Sequence, residues 1–305
     1  MTVAFASGKG GAGKTSLSAA LAALIGSTCV VADCDVDAAN GAIALGAIAC
    51  VIEPYSAGPG FRIDPGACAV CGLCAQACRF GAIKRIPDTG HYMIVPELCE
   101  RCGACLDACS SNAVATYEKE AGRLFVSNTR RGMTLVHAEL APGEDTSGKL
   151  VRKVRERADV LAGEAALIVV DAPPGIGCPL IASLSGSDLV VIVMEASASG
   201  IRDASRLIEL LTKMKRNSVA IINKTGLDAD MDARARNTLI NVGIPVAGEV
   251  PFDPALRSIE ESGRTWIDLE GNAGEKPRNA LRAVLGVVDG LTRKNQDTAG
   301  KKERV

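Results

Sequence analysis

The chain has 305 residues, of which 48% are hydrophobic and 23% are charged, so a folded core is expected and global disorder is excluded. The net charge of −1 gives no electrostatic reason to expect a nucleic acid or an anionic membrane as the main partner. Because no apolar run reaches the ~18 residues of a membrane span and the N-terminal apolar run is too short for a signal peptide, we expect a cytoplasmic protein.

Predicted strands and helices alternate along most of the chain. Early strands are predicted over Val3–Ala6 and Cys29–Asp33, with a helix over Thr15–Ile25 and another helix before residue 53. Later strands are predicted near 123–128 and 133–138 and over Leu167–Val170, Leu189–Val193, Val219–Ile222 and Val246–Val250. Later helices are predicted over Ser147–Leu161 and near 200–214, 228–241 and 276–292. Such alternation predicts an α/β fold with a mostly parallel sheet covered by helices on both faces.

A glycine-rich segment lies between the first predicted strand and the first predicted helix. Its sequence, Gly8-Lys9-Gly10-Gly11-Ala12-Gly13-Lys14-Thr15, matches the phosphate-binding pattern G-x-x-x-x-G-K-[ST]. The glycines allow backbone N–H groups to turn toward phosphate oxygens, and the helix N-terminus adds its positive dipole end. We expect these residues and Ser16 to bind a nucleotide, with Lys14 at the β- and γ-phosphates and Thr15 on Mg²⁺. An ordinary glycine-rich turn is the alternative.

Acidic residues follow two of the predicted strands. Asp33 and Asp35 lie at the end of the second strand, and Asp171 follows the strand over Leu167–Val170. Ligands of open α/β sheets bind at the carboxyl ends of the strands. We therefore expect Asp171 to hold Mg²⁺ through water, and Asp35, with Asp33 in support, to position the attacking water or hold hydrated Mg²⁺. A helix-capping role for Asp35 or Asp37 is the alternative.

Eight of the twelve cysteines form two runs of the pattern Cys-x2-Cys-x2-Cys-x3-Cys. The first run is Cys68, Cys71, Cys74 and Cys78, and the second is Cys99, Cys102, Cys105 and Cys109. The two runs indicate an internal duplication and a pseudo-twofold module. In this pattern three cysteines of one run bind a [4Fe–4S] cluster, and the fourth binds the other cluster. We expect one cluster on Cys68, Cys71, Cys74 and Cys109, and the second on Cys99, Cys102, Cys105 and Cys78. Four-cysteine zinc sites are the alternative.

The residues that follow each run, and the cysteines outside the runs, need separate interpretation. Arg79 and Ser110 follow the fourth cysteine of each run, where bacterial ferredoxins usually have proline, so chain packing and potential are expected to differ. Outside the runs, Cys29, Cys34 and Cys50 are expected to be core residues.

Changes in composition predict the domain boundaries. The turn-rich stretch at 56–60 precedes the cysteine-rich region, and α/β alternation resumes after it. Residues 1–58 and 119–294 are predicted to form a P-loop nucleotide-binding domain in two parts. Residues 59–118 are predicted to form an inserted small α+β ferredoxin-like module, and the polar residues 295–305 a flexible tail.

Lys9 gives the phosphate loop the form Lys-Gly-Gly-x-Gly-Lys-Thr, which resembles the deviant Walker A motif of the MinD/ParA, Mrp and nitrogenase iron protein superfamily. The resemblance implies a homodimer with nucleotide at the interface, where Lys9 reaches the partner's phosphates and stabilises transition-state charge. It also implies that Lys9, Lys14 and Asp35 are catalytic, and that Thr15, Asp33, Asp35 and Asp171 surround Mg²⁺.

The same resemblance extends to residues nearer the C-terminus. Pro173 to Gly177 are similar to the family's switch II, and Pro251-Phe252-Asp253 is similar to its second adenine-side segment. Asn223, at the end of another predicted strand, is expected to bond the base. Gly226 stands where a guanine-reading carboxylate is needed, so ATP is favoured over GTP. Cys178 follows Asp171 at the spacing of a cluster ligand in nitrogenase iron protein. That protein's other ligating cysteine has no counterpart here, so a subunit-bridging cluster on Cys178 is not expected; a role as a ligand or transient cluster contact is the alternative.

The combination resembles MinD-superfamily ATPases that contain an inserted ferredoxin domain. It implies a Mg²⁺-dependent ATPase with two [4Fe–4S] clusters that couples nucleotide state to electron transfer or metallocofactor maturation of a partner protein. An iron–sulfur carrier of the Mrp type is one alternative, although the C-terminal Cys-x2-Cys of those proteins is missing. A MinD/ParA-like positioning ATPase with structural clusters is another, but we expect neither nucleic acid nor membrane as a partner.

Overall fold

The computed structural model describes residues 1–144, 147–163 and 166–302. These residues form two compact units. The first unit comprises Met1–Glu53, Leu124–Glu139 and the residues from Ser147 onward, and the second comprises Pro54–Arg123 and 140–144. The second unit contains the cysteine runs. Its main segment extends a few residues beyond both ends of the predicted module of 59–118. It also includes the separate short segment 140–144.

The strands and helices follow one another in chain order. The strands are β1 (Thr2–Ala6), β2 (Cys29–Asp33), β3 (Ala47–Tyr55), β4 (Gly60–Ile63), β5 (Ile83–Arg85), β6 (Tyr92–Ile94), β7 (Val114–Tyr117), β8 (Gly122–Thr129), β9 (Thr134–Leu140), β10 (Leu167–Asp171), β11 (Leu189–Glu195), β12 (Ser218–Thr225) and β13 (Val246–Pro251). The helices are α1 (Lys14–Ile25), α2 (Gly41–Ala44), α3 (Leu73–Ala77), α4 (Ala104–Asp107), α5 (Ser147–Ala162), α6 (Cys178–Leu184), α7 (Ala198–Lys213), α8 (Ala229–Asn241), α9 (Pro254–Glu261) and α10 (Gly271–Lys302). Short 3-10 helices cover Pro96–Leu98 and Trp266–Asp268.

A nine-stranded sheet has the order β13-β12-β11-β1-β10-β2-β9-β8-β3. Every pairing from β13 across to β9 is parallel. The phosphate loop follows β1, which lies between β10 and β11, and the carboxyl ends of all three strands meet at one edge. This is the switch point at which open α/β sheets bind ligands.

Continuous apolar runs explain why the central strands are buried on both faces. In β11 the six residues from Leu189 to Met194 are each at most 1% exposed. Strands of this kind need helices on both faces, and the core includes Phe5 of β1 together with Leu17 and Leu21 of α1. Helix α10 lies close against β13, because a Cβ atom on Gly248 would come within 2.6 Å of the Ala280 Cβ.

Two predicted elements differ from the structure. The helix expected before residue 53 is the short α2, and β3 follows it as an edge strand, where the β-branched Ile48, Val51 and Ile52 suit extended backbone. The last helix is longer than predicted and continues to Lys302, with Pro277 near its start. Of the predicted tail, 295–302 continue this helix and 303–305 lie outside the described residues.

Within the second unit, the two cysteine runs have the same local structure. Strand β4 pairs antiparallel with β7, and β5 pairs antiparallel with β6. Each strand of the first repeat thus pairs with a strand of the second. The positive φ angles also repeat, at Val70 and Arg101 (54° and 56°) and at Gly72 and Gly103 (76° and 81°). The repeated backbone agrees with the duplication inferred from the sequence.

Candidate functional site

The phosphate loop connects β1 to α1 and is supported from β12. Gly13 has φ 94°, in the left-handed region, and a Cβ atom there would lie 2.3 Å from the Asn223 Nδ2. The Asn223 Nδ2 donates a 2.8 Å hydrogen bond to the Ala12 carbonyl oxygen. The predicted base contact Asn223 therefore supports the loop itself, and glycine at position 13 leaves room for its side chain.

Lys14, Thr15, Asp33, Asp35 and Asp171 lie together at the switch point. The Thr15 Oγ1 donates a 2.5 Å hydrogen bond to the Asp171 Oδ2. Asp33 accepts hydrogen bonds from the backbone N–H groups of Asp35 and of Gly41, at 3.1 and 2.8 Å. The structure thus brings together the four residues predicted to surround Mg²⁺.

Burial sets the protonation tendencies of this group. Burial raises the pKa of Asp171 and of Asp33, since an ionised carboxylate loses its hydration there. Burial also lowers the pKa of the Lys14 ammonium, and Asp171, Asp35 and Asp33 oppose that shift. A divalent cation would favour the ionised carboxylates. Among the residues that the structure describes, the buried Asp171 Oδ1 has no hydrogen-bond partner, so this oxygen is available to a hydrated Mg²⁺.

A cavity of about 320 Å³ opens beside the loop. Ser16, Asn223, Pro251 and Asp253, all predicted to bind nucleotide, line it. The Asp253 carboxylate caps α9 by accepting a 2.9 Å hydrogen bond from the Ala255 N–H, so part of its role is structural.

Two further cavity residues were not predicted from the sequence. Trp266 contributes aromatic surface beside Phe252 of the predicted adenine-side segment, and Glu260 contributes a carboxylate whose pKa is raised by burial. Trp266 is the single tryptophan of the chain, and it is buried in a 3-10 helix far from any recognised motif. Its being the single tryptophan of the chain is the one sequence signal that could have identified Trp266 as a site residue.

Lys9 forms an ion pair within its own chain. The Lys9 Nζ lies 2.9 Å from the Glu195 Oε1 and 3.1 Å from the Ser199 Oγ. The other carboxylate oxygen, Glu195 Oε2, lies 3.0 Å from the Lys224 Nζ. Neither Glu195 nor Lys224 was predicted as a site residue, because no motif links them to the loop.

The first predicted cysteine set is close in space. The pKa of the Cys74 thiol is raised mainly by burial, and the neighbouring Cys68, Cys109 and Cys71 raise it further. Cys109 belongs to the second run, but it lies beside the first three cysteines of the first run. This is the arrangement expected when two runs exchange their fourth ligand.

The second predicted set shares one cavity. Cys78, Cys99, Cys102 and Cys105 all line it. Burial raises the pKa of the Cys105 thiol, and Cys99 and Cys102 add to the shift. Cys78 of the first run is thus near three cysteines of the second run, which matches the arrangement of the first set.

Backbone N–H groups point at the fourth cysteine of each run. The Ala82 N–H donates to the Cys78 Sγ at 3.3 Å, and the Ala113 N–H donates to the Cys109 Sγ at 3.2 Å. The hydroxyl of Ser111 is the main cause of a lowered pKa at Cys109. Such hydrogen bonds stabilise a thiolate, the form that binds iron.

Within 1–144, 147–163 and 166–302, no group of three or more His, Cys, Asp or Glu side chains is placed to hold one metal ion. A cubane spreads its four thiolates over four iron atoms, so its ligands stand further apart than those of one ion. The thiol chemistry and the N–H···S bonds fit clusters on the two predicted sets.

The remaining cysteines divide into buried and exposed ones. Cys29 and Cys34 are buried as predicted, and burial raises the pKa of Cys29 to about 12. The prediction that Cys50 is a core residue is wrong, because Cys50 is exposed on the edge strand β3. Cys178 is also exposed, at the first residue of α6.

A family model, the CobQ/CobB/MinD/ParA nucleotide binding domain, matches residues 3–266. The chain belongs to this family. The matched range includes the phosphate loop, the acidic residues at the switch point and the cavity beside them. This confirms that the glycine-rich segment belongs to a nucleotide-binding domain.

Individual proteins show the same relationship. An uncharacterized protein of Methanocaldococcus jannaschii is 33% identical over 255 residues, which are 83% of this chain and 85% of that protein. The septum site-determining protein MinD of Pyrococcus horikoshii, solved with Mg-ADP, is similar in structure, with a TM-score of 0.57 and 17% identity; the match covers 95% of this chain and 99% of MinD. The iron-sulfur cluster carrier protein of Mycobacterium leprae is 23% identical over 159 residues, 47% of this chain and 40% of that protein. The likeness to MinD confirms the predicted α/β fold class.

Over the described parts of the chain, no helix is both long and apolar enough to cross a bilayer.

Proposed function

We propose that this protein is a Mg²⁺-dependent ATPase that dimerises around nucleotide and carries two [4Fe–4S] clusters. Nucleotide state would be coupled to electron transfer, or to metallocofactor or iron–sulfur maturation, in a partner protein. The observation that supports the proposal is the proximity of Cys109 to the other cysteines of the first predicted set, and of Cys78 to those of the second, in a chain that belongs to a nucleotide-binding family.

The residues at the switch point support phosphate chemistry. In the proposed reaction, water attacks the γ-phosphorus while the bond to the bridging oxygen of ADP breaks. Asp35, half-buried near Lys14, orients the water and accepts its proton. Lys14 and the loop N–H groups stabilise phosphate charge, and Lys9 adds the charge of the second protomer. Thr15 and Asp171 would hold the Mg²⁺.

The cavity supports ATP as the nucleotide. Trp266 and Phe252 offer aromatic faces for a base, and Glu260 offers an acceptor for an amino group such as that of adenine. Gly226 cannot supply the carboxylate with which guanine is commonly read. We therefore infer adenine rather than guanine specificity.

The eight cysteines support bound clusters, which supply one-electron transfer when present. The chain's contribution is to exclude water from Cys74 and Cys105, each at most 8% exposed, and to donate hydrogen bonds to Cys78 and Cys109. Both effects tune the reduction potential.

Anaerobic reconstitution tests the proposal. We expect about eight irons per chain, an EPR spectrum of two clusters after reduction, and a change in that spectrum or in the potentials on addition of Mg-ATP. Sedimentation should show a dimer that forms with ATP and is lost in Lys9→Met. Four or fewer irons after full reconstitution, or no affinity for adenine nucleotides, would refute it.

A cluster carrier is the second candidate, motivated by the relationship to the Mycobacterium leprae carrier protein. A carrier must release its cluster, whereas two sets of four cysteines suit retention. Rapid transfer of iron and sulfide to an apo-ferredoxin, faster with ATP than with ADP, would favour this candidate over the first.

A further inference from the structure

The two cysteine runs differ in charge at one equivalent position. Val70 and Arg101 each precede the second cysteine of their run, and their backbones are nearly the same, with φ 54° and 56°. Val70 is 37% exposed. The Arg101 side chain is only 12% exposed and lines the cavity of the second cysteine set. The duplicated backbone therefore places a buried cation beside the second set and an apolar side chain at the same position of the first.

Arg101 is bound by a carboxylate from a separate segment of the chain. The Arg101 Nη2 donates a hydrogen bond to the Glu144 Oε2, and the Lys119 Nζ lies 2.7 Å from the Glu144 Oε1. The side chain of Glu144 is only 4% exposed. The Ala141 N–H donates a 3.0 Å hydrogen bond to the Ala121 carbonyl oxygen, so the chain that leaves β9 lies beside the chain that enters β8. This return of the chain brings Glu144 to Lys119 and Arg101.

The three charges do not cancel. Burial alone would raise the pKa of Glu144, but the hydrogen bonds from Lys119 and Arg101 hold it below its usual value, so the carboxylate is ionised. Two cations then face one anion. The Arg101 Nη1 is also buried, and over the described parts of the chain it has no hydrogen-bond partner. Part of the guanidinium charge is therefore left unneutralised beside the second set.

Other charged residues next to the second set are less effective. Arg79 follows Cys78, and Glu100 and Asp107 lie in the second run. All three are exposed, so water and salt screen their charges. The buried Arg101 and Glu144 are screened much less, and they dominate the field at the second set.

We propose that Arg101, held in place by Glu144, raises the reduction potential of the second cluster above that of the first. This rests on the proposed function, in which both cysteine sets hold clusters. Reduction adds one negative charge, and a buried cation stabilises that charge. Val70 offers no such stabilisation to the first cluster. The two clusters, although held by the same cysteine spacing, are therefore unequal, and the second is reduced before the first.

A redox titration of the reconstituted protein, followed by EPR, measures the two potentials. Cys71→Ser and Cys102→Ser, which each remove one cluster, assign the signals. Arg101→Val should shift the ratio of oxidised to reduced second cluster about tenfold toward the oxidised form, a potential about 59 mV lower. Arg101→Lys keeps the charge and should shift the ratio by less. Arg85→Val is the matched control, because Arg85 is exposed and bonds the Gly90 carbonyl oxygen, and it should leave both potentials unchanged.

Glu144→Gln separates an effect of charge from an effect of structure. This variant removes a negative charge and should raise the potential of the second cluster, opposite in sign to Arg101→Val. A mere loosening of the loop would shift both variants in the same direction. The proposal is overturned if the wild-type second cluster has a potential at or below that of the first. It is also overturned if Arg101→Val leaves the second potential unchanged or lowers both potentials equally.

Hydrogen exchange of the protein without clusters tests the anchoring of the loop by itself. Glu144→Gln should raise the exchange rate of backbone N–H groups over 99–109 about threefold to tenfold and leave that over 68–78 unchanged, since Glu144 binds the second run. Equal exchange in the variant and the wild type would overturn the anchoring. If reconstitution yields no clusters, the proposed function and the claim on potentials both fail, and the exchange result still decides the anchoring.

Discussion

Replacing Gly13 with alanine tests how the phosphate loop is held. The left-handed backbone at φ 94° costs an alanine about 1–2 kcal/mol. The new Cβ atom would lie 2.3 Å from the Asn223 Nδ2, so Asn223 must move and give up its bond to the Ala12 carbonyl, at about 1 kcal/mol. The lower entropy of the unfolded chain offsets about 0.4–1 kcal/mol. We expect the free energy of unfolding to fall by about 2 kcal/mol.

Gly286→Ala is the matched control for this substitution. Gly286 is an exposed residue of α10, and a Cβ atom there meets nothing within 4 Å. The same replacement should therefore raise the free energy of unfolding by about 0.5–1 kcal/mol, since alanine favours helix. Urea unfolding of both variants without nucleotide provides the measurement. If Gly13→Ala changes stability by less than about 0.5 kcal/mol, the argument from loop support is wrong.

Three further predictions concern the nucleotide and cluster residues. Thr15→Val removes the hydroxyl bonded to Asp171 and should raise the Mg²⁺ concentration needed for ATP hydrolysis about tenfold or more, as measured by a Mg²⁺ titration. Trp266→Ala should weaken ATP binding by about 1–3 kcal/mol, measured by calorimetry, because a stacking face is lost; an unchanged affinity would place the base elsewhere. Cys109→Ser should lower reconstituted iron to about four per chain and abolish the same EPR signal as Cys71→Ser. Cys102→Ser should abolish the other signal. If Cys109→Ser and Cys102→Ser abolish the same signal, the exchanged ligation is contradicted.

The sequence predicted best those features that depend on short spacings. The phosphate loop could be recognised because its glycines and lysines lie within eight residues, and the buried strands because their apolar runs are continuous. The proximity of Cys78 and Cys109 to the cysteines of the opposite run was also predictable, because in this pattern the fourth cysteine of one run belongs with the first three of the other.

Edges of the sheet were predicted less well. The apolar residues around Cys50 suggested a core position, but they belong to β3, which has a neighbouring strand on one side only. Hydrophobicity along the chain does not show whether a strand is central or at an edge. Hydrophobicity also does not show where the one-turn helix α2 ends and β3 begins, so a longer helix was expected before residue 53.

Contacts between distant residues that belong to no recognised motif could not be predicted. Glu195 is separated from Lys9 by 186 positions, and Trp266 has no motif around it. Glu195 lies at the site because parallel strands place their carboxyl ends at one edge, and the sequence did not specify the order in which the strands are arranged. Once β11 is known to lie beside β1, a charged residue ending β11 must lie next to the loop that follows β1.

The same register explains why a charge at the end of β11 can influence a lysine in the phosphate loop. Residues at the ends of β1, β11 and β12 are close because their strands are hydrogen-bonded neighbours, so their spacing is as rigid as the sheet. The loop that carries Lys9 is held from this edge by Asn223 and Lys224, which bond to Ala12 and Gly11. Nucleotide phosphates would bind the same loop. The ion pair between Lys9 and Glu195 therefore joins the phosphate-binding loop to the edge of the sheet.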